Sequence, residues 1–128
     1  MVAGFVLLSP AVHAQGVSVP SGQYLLPYEF LWEDHRQPDG TVQTWLILRF
    51  LAPEIGKEKG KRSFDDVADD LDSLCKGMGL EVARVTGGGV SQVIVNLMNA
   101  PIARGASDAN VTQYMNAYDI TGGSCEWQ

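Results

Sequence analysis

Hydrophobic positions recur along the chain with two different spacings. Between residues 64 and 75 they lie three or four residues apart, which places a single apolar stripe on a helix. Ser63 precedes the stripe as the N-cap, and Asp66, three residues after Ser63, completes a capping box. Gly77 and Gly79 are expected to stop the helix. The stripe consists of Phe64, Val67, Ala68, Leu71, Leu74 and Cys75.

Runs of aromatic and branched apolar residues before this helix predict two strands. Tyr24–Trp32 forms the first, with Pro27 marking an edge strand or a strand with a break. The polar segment 33–40 ends in Pro38-Asp39-Gly40, whose proline and glycine favour a turn. Val42–Ala52 then follows as the second arm of a hairpin, apolar on both faces as in a central strand.

The rest of the chain predicts shorter elements around glycine-rich turns. The predicted elements are a strand at Leu80–Val85, a turn at Gly87–Gly89, a strand at Val90–Met98, a short helix from Ser107 or Asp108 to Gln113, and a hairpin of Tyr114–Thr121 with Ser124–Trp127. We therefore predict an α+β fold with one disulfide: a mostly antiparallel sheet of about five to six strands packed against one main helix, with a short second helix.

Composition and net charge limit the kinds of partner that the protein is expected to bind. The 128 residues are 45% hydrophobic and 19% charged, as expected of one globular domain. The net charge of −6 repels phosphate backbones and anionic lipid surfaces. We therefore predict no nucleic-acid partner.

The N-terminus has features of a cleaved signal peptide. The apolar run Val2–Leu8 precedes Ser9-Pro10, and Val12 and Ala14 provide small residues for cleavage, giving a signal peptide at 1–14 and a domain at 15–128. A basic n-region is lacking, so a buried N-terminal strand is the alternative. The run is shorter than the roughly 20 residues of a membrane helix, and we predict no membrane-spanning segment in the mature chain.

Two cysteines, Cys75 and Cys125, suit an oxidising compartment that would join them. Closing a loop of about 50 residues would stabilise the fold by roughly 4 kcal/mol. Two separate buried thiols are the alternative. A redox function is disfavoured because no C-x-x-C motif is present.

Glu33, Asp34 and His35 form the polar cluster that comes nearest to a catalytic set. His35 is the one histidine after residue 14, so imidazole chemistry would depend on it. A solvated turn is the alternative interpretation, because neighbouring residues seldom converge on one point. We predict no assigned catalytic residue, no metal site and no cofactor.

Two surfaces are candidates for contact with a partner. Lys57, Lys59, Lys61 and Arg62 precede the helix N-terminus and could contact an anion or an acidic partner, or form an exposed loop. The aromatic residues exceed what a small core needs, so some of them predict a recognition surface, with core packing as the alternative for any one of them.

Several segments together resemble a family of small exported alphaproteobacterial proteins of unknown function. They are Val19-Pro20-Ser21-Gly22, Leu31-Trp32-Glu33-Asp34, Pro38-Asp39-Gly40, Leu74-Cys75, Val95-Asn96-Leu97-Met98-Asn99-Ala100-Pro101 and Gly123-Ser124-Cys125-Glu126-Trp127. The resemblance implies a Gram-negative periplasmic setting and a paired Cys75 and Cys125. Some relatives carry the label acetolactate synthase, which implies a large thiamine-diphosphate enzyme and does not fit a domain of this size.

These observations favour a periplasmic or secreted, non-enzymatic binding or accessory domain. Its expected partner is another envelope protein, with the chain as a small subunit of a complex. The alternative is a small hydrolase or inhibitor-like module that uses His35 with Glu33 or Asp34.

Overall fold

A five-stranded sheet forms one layer of the protein, and a helical segment packs on one of its faces. The structure, a computed structural model, describes residues 16–128. The predicted signal peptide at 1–14 and its alternative, a buried N-terminal strand, lie outside the described residues. The strands are β1 (Leu26–Arg36), β2 (Val42–Leu51), β3 (Val90–Met98), β4 (Gln113–Asp119) and β5 (Glu126–Trp127).

The strands lie in the order β1-β2-β3-β4-β5. Only the pairing of β2 with β3 is parallel, and the other three are antiparallel. A parallel neighbour requires a crossover connection, which the helical segment between β2 and β3 supplies. The α+β class and the mostly antiparallel sheet are therefore confirmed. Of the helices in residues 16–128, none has the length and apolarity needed to cross a membrane.

The main helix begins as predicted. Helix α1 (Phe64–Leu74) follows Ser63, whose hydroxyl oxygen accepts the Asp66 N–H at 3.3 Å. The Asp66 carboxylate in turn accepts the Ser63 N–H at 2.8 Å, so the capping box is reciprocal.

The predicted end of this helix, at Gly77 and Gly79, is wrong. The chain continues through a π-helical turn (Cys75–Gly79) into α2 (Leu80–Val85), so the strand predicted at 80–85 is wrong as well. Gly79 has a helical φ of −61°, and a Cβ there would lie 3.0 Å from Val93 Cγ1. Glycine at this position allows the helical segment to approach the sheet closely, and it does not end the helix. The helical segment ends before Gly87–Gly89, whose φ angles are all positive.

The first hairpin is confirmed, with a longer first arm than expected. β1 extends through residues 33–36, part of the polar segment in which the sequence predicts the turn, and the turn itself is confined to 37–41. The Gln37 N–H donates to the Thr41 carbonyl oxygen at 2.7 Å, and Gly40 takes a φ of 90°. Charged residues can extend this strand because β1 is at the sheet edge, where alternate side chains reach solvent.

The short helix predicted from Ser107 or Asp108 to Gln113 is absent from the structure, which has a single turn there. Asp108 Oδ1 accepts the Asn110 N–H at 2.7 Å, and the Asp108 carbonyl oxygen accepts the Val111 N–H. Asn99 and Thr112 are bonded to each other at the ends of this loop, which draws Thr112 into extended backbone. The short second helix of the fold is instead α2.

The core lies between the sheet and the helical segment, and the N-terminal lead-in completes it. The buried Asp70 carboxylate on α1 accepts the Ser21 N–H at 2.8 Å and the Gln23 Nε2–H at 2.7 Å, which fixes the lead-in against the helix. The disulfide between Cys75 and Cys125 is confirmed, and it joins the chain just before β5 to the π-helical turn. Core members include Leu25, Leu46, Leu48, Phe50, Val67, Leu71, Val93, Val95 and Leu97.

Candidate binding surface along the first strand

The face of the sheet away from the helices, here called the distal face, carries the buried guanidinium of Arg49. Side chains alternate along β2, so Leu48 and Phe50 enter the core while Ile47 and Arg49 point to the distal face. Residues 99–112, here called the distal loop, connect β3 to β4 and pack on this face.

Arg49 anchors the distal loop to the sheet. Its side chain is fully buried, and its Nη2 donates to the Ile102 carbonyl oxygen at 2.5 Å. Nε donates to Asn96 Oδ1 at 3.1 Å, and Nη1 forms an ion pair with Glu29 on β1. A buried guanidinium is tolerated only with such partners, because its hydration is lost on burial. Arg49 therefore connects β1, β3 and the distal loop.

An irregularity in β1 shapes this contact. The register with β2 shifts between Pro27 and Glu29, as in a β-bulge. Tyr28, within the shift, has its ring centroid 5.7 Å from the Arg49 guanidinium carbon, in a cation–π contact. The shift allows two consecutive residues, Tyr28 and Glu29, to approach the same cation.

A second ion pair lies farther along β1. Arg104 of the distal loop donates through Nε and Nη2 to the Glu33 carboxylate, at 2.9 and 3.1 Å. His35 Nε2 lies 2.9 Å from Glu33 Oε1, and the His35 ring stacks on Trp45 with centroids 3.6 Å apart. The Arg104 hydrogen bonds are the main reason that the pKa of Glu33 is lowered from 4.5 to about 2, and His35 adds to the effect.

The predicted cluster of Glu33, Asp34 and His35 is thus only partly brought together. Glu33 and His35 share the distal face, whereas Asp34 lies on the opposite face and accepts the Thr44 hydroxyl at 2.9 Å. The strand that replaces the predicted turn explains this, because consecutive residues alternate between faces. Among the described residues, no group of three or more His, Cys, Asp or Glu side chains is placed to hold a metal ion.

The contacts of the two arginines differ in how far they can be predicted from sequence. Arg49 is the one charged residue in an otherwise apolar strand, and that pattern could have identified a buried, paired group. Arg104 lies in a loop of mixed composition, 71 residues from its partner Glu33, and no local pattern indicates the contact.

The basic run before α1 is divided between two environments. Lys57, Lys59 and Lys61 are exposed, but Arg62 is partly buried and its Nε donates to Glu54 Oε1 at 2.8 Å. An anion would therefore be contacted by the three lysines, and this role stays a prediction.

The outer edge of β1 offers backbone groups that the sheet does not use. Within residues 16–128, β1 pairs only with β2. Hydrogen-bonded and non-bonded pairs alternate in an antiparallel ladder, so the Gln37–Thr41 bond implies bonded pairs at odd-numbered residues of β1. The N–H and C=O groups that point outward then belong to Phe30, Trp32, Asp34 and Arg36.

Aromatic side chains accompany this edge. Trp32 and Tyr28 in β1 are 47% and 43% exposed, and Tyr24 in the lead-in is 45% exposed. Tyr118 is buried in the core, and Phe30 and Tyr114 are partly buried against it. The aromatic residues are therefore found in the core, on the distal face at Trp45, in an exposed group at the first strand, and at Trp127 of β5, which is 71% exposed.

Comparison with known proteins gives a family without an assigned activity. Residues 5–128 match the model of a family described as a family of unknown function, DUF6497. Neither the curated proteins nor the solved structures contain a significant match to the chain.

Proposed function

The chain belongs to the DUF6497 family of unknown function, and we propose that it is an exported, non-enzymatic binding or accessory domain. In this proposal it acts in the periplasm and joins another envelope protein by accepting an extended segment of that partner at the outer edge of β1. The observation that carries the proposal is the coincidence of free backbone groups and exposed aromatic side chains on one strand.

Strand addition suits this edge for a physical reason. An extended segment beside β1 would satisfy the outward N–H and C=O groups of Phe30, Trp32, Asp34 and Arg36, which supplies affinity through the main chain. Natural proteins usually protect long edge strands with prolines, bulges or charges. Here Pro27 and the register shift protect the beginning of β1, whereas residues 30–36 stay regular and carry side-chain charges, at Asp34 and Arg36, as their protection.

The aromatic residues supply the apolar contact that backbone bonds alone lack. Trp and Tyr are enriched where binding energy is concentrated, because each buries a large area with little loss of side-chain entropy. Trp32 lies within the regular half of β1, and Tyr28 lies at its protected beginning.

The strand is also held rigidly enough to serve as a template. Glu29 and Glu33 of β1 are paired with Arg49 and Arg104, so β1 is fixed to both the sheet and the distal loop. Binding costs less free energy when the receiving surface is already ordered.

Export is supported by the disulfide, since such bonds persist in oxidising compartments. The test is the intact mass of the native protein from the envelope fraction. We expect a chain that begins at Gln15 and is two hydrogens lighter than the dithiol. An unprocessed chain with two alkylatable thiols would contradict export.

Site-specific photocrosslinking in living cells tests the binding surface. A photoreactive residue at Trp32 or Arg36 is expected to capture the same partner, and one at the exposed Lys76, on the helical segment, is not. The capture should be lost in Asp34→Pro, which removes an outward N–H, and retained in Asp34→Asn, which keeps it. Capture that is unaffected by Asp34→Pro would contradict strand addition.

A second candidate function follows from the contact between His35 and Glu33. Glu33 is held by Arg104 and lies 2.9 Å from His35 Nε2, an arrangement that would orient the imidazole as a general base in a small hydrolase or inhibitor-like module. A hydrolase screen with wild type and His35→Ala tests this candidate. Activity that persists in His35→Ala would remove it.

A further inference from the structure

Three side chains alternate along the regular half of the β1 edge, on the face that carries the helices. Trp32 is apolar and half exposed, and Asp34 and Arg36 are exposed. Asp34 accepts the Thr44 hydroxyl, and Arg36 donates to the Gly40 carbonyl oxygen at 3.1 Å. Neither charge forms an ion pair with another described residue. The edge therefore presents an apolar group, an anion and a cation at successive alternate positions.

We infer that the segment bound at this edge carries the complementary order, an acidic residue, a basic residue and an apolar residue at every second position from its N-terminus. The inference rests on the proposed function and specifies the chemistry of its partner. The acidic residue would lie opposite Arg36, the basic residue opposite Asp34 and the apolar residue opposite Trp32.

The geometry of a sheet enforces this correspondence. The same three residues of β1 have outward backbone groups, so each would lie directly opposite one residue of the added strand. Side chains in such pairs are about 4.5–5.5 Å apart at Cβ, and opposite charges there attract while like charges repel. Antiparallel pairing is the more stable arrangement, and it reverses the order along the partner.

On the distal face of this edge, neutral residues of the bound segment fit best. Glu33 and His35 are already bonded to each other, and Glu33 is also held by Arg104. The intervening positions of the bound segment lie beside this satisfied group, so a charge there gains no partner. Threonine, which favours strands, suits both positions.

Two synthetic nine-residue peptides of identical composition test the inference. One contains the order Asp-Thr-Lys-Thr-Val, and the other exchanges its Asp and Lys. Binding to the processed chain, residues 15–128, is followed by backbone amide chemical shifts up to millimolar peptide. We expect the first peptide to bind about tenfold more tightly, because two attractive pairs become two repulsive ones. The double variant D34K/R36D should reverse the preference.

Peptide binding to Asp34→Pro distinguishes failure of this inference from failure of the proposed function. Asp34→Asn is the matched control, and thermal unfolding checks that each variant folds. If both peptides bind equally to wild type and lose binding in Asp34→Pro, the edge is a binding site and the charge order is wrong. Absence of binding by either peptide also overturns the inference, and photocrosslinking then decides the proposed function alone. Concentration-dependent self-association that Asp34→Pro abolishes would identify a second copy of the chain as the occupant and overturn the inference as well.

Discussion

Arg104 in the distal loop donates two hydrogen bonds to the carboxylate of Glu33 in the first strand, at 2.9 and 3.1 Å. This contact spans β2, which lies between β1 and the strands that the loop connects. Together with Arg49, it makes the position of the first strand depend on a loop that is distant in sequence. The proposed binding edge is therefore supported from its distal face.

Replacing Glu33 tests the strength of this support and its dependence on pH. Glu33→Gln should lower the free energy of unfolding at pH 7 by about 1–2 kcal/mol, because hydrogen bonds to a charged, partly buried group are lost. The folded-state pKa of Glu33, about 2, is below its ordinary value of 4.5. The stabilisation is therefore complete above about pH 5 and lost as the pH falls toward 2.

Urea unfolding of wild type and Glu33→Gln at pH 7, 4 and 2.5 measures this difference. Asp34→Asn is the control on the opposite face, and its effect should stay within about 0.5 kcal/mol. A difference between wild type and Glu33→Gln that stays constant down to pH 2.5 would show that the carboxylate is not stabilised by these contacts.

Of the arginines, Arg49 is expected to contribute most to the free energy of unfolding. Arg49→Ala should reduce the free energy of unfolding by about 3 kcal/mol, since it removes packing and several buried hydrogen bonds while Glu29 keeps its charge. The exposed Arg36→Ala, measured by the same chemical denaturation, should change it by less than about 0.5 kcal/mol. Equal effects of the two substitutions would argue against the anchoring role of Arg49.

The two glycines of the π-helical turn should respond oppositely to alanine. A Cβ at Gly79 would lie 3.0 Å from Val93 Cγ1, whereas a Cβ at Gly77 meets nothing within 4 Å. Gly79→Ala should therefore destabilise the protein by about 1–3 kcal/mol through overpacking. Gly77→Ala should be neutral or stabilise it by up to about 1 kcal/mol, through the helix preference of alanine. Thermal unfolding distinguishes these results, and similar effects at both positions would refute the packing explanation.

Removing the disulfide should loosen the C-terminal end of the sheet. β5 contains two residues and is attached through Cys125 to the buried Cys75. The double substitution Cys75→Ala with Cys125→Ala is expected to cost about 2–4 kcal/mol. Hydrogen exchange should become faster at Gln128, whose N–H donates to the Ala117 carbonyl oxygen, and at Asp119, which forms the next hydrogen-bonded pair with Glu126, and change little in the β1–β2 hairpin. Faster exchange spread evenly over the domain would contradict a local role.

Much of the fold could be predicted because local patterns agree with it. The capping box at Ser63, the turn at Pro38-Asp39-Gly40 and the apolar run Val90–Met98 each specify an element without reference to distant residues. The errors occurred where a residue serves a distant contact. In the sequence Gly79 resembles a helix stop. In the structure a glycine is needed there because Val93 on the sheet leaves little room for a Cβ.

The candidate site was less predictable for the same reason. Residues 33–35 were recognised as polar, but their separation onto two faces follows from the unexpected length of β1. The partners of Glu33 and Arg49 come from the distal loop and from β3, and spacing along the chain does not indicate them. The exposed position of Trp32 follows from its place on an edge strand, which is set by the sheet order.

Residue-resolved amide hydrogen exchange along β1 is the sharpest test of strand addition at this edge. In the free protein, we expect slow exchange at Leu31, Glu33 and His35, whose N–H groups face β2, and fast exchange at Trp32, Asp34 and Arg36. On addition of the Asp-Thr-Lys-Thr-Val peptide or of a captured partner, the fast set should become protected while the slow set changes little. Protection that appears elsewhere in the domain, with the fast set unchanged, would contradict binding by strand addition at this edge.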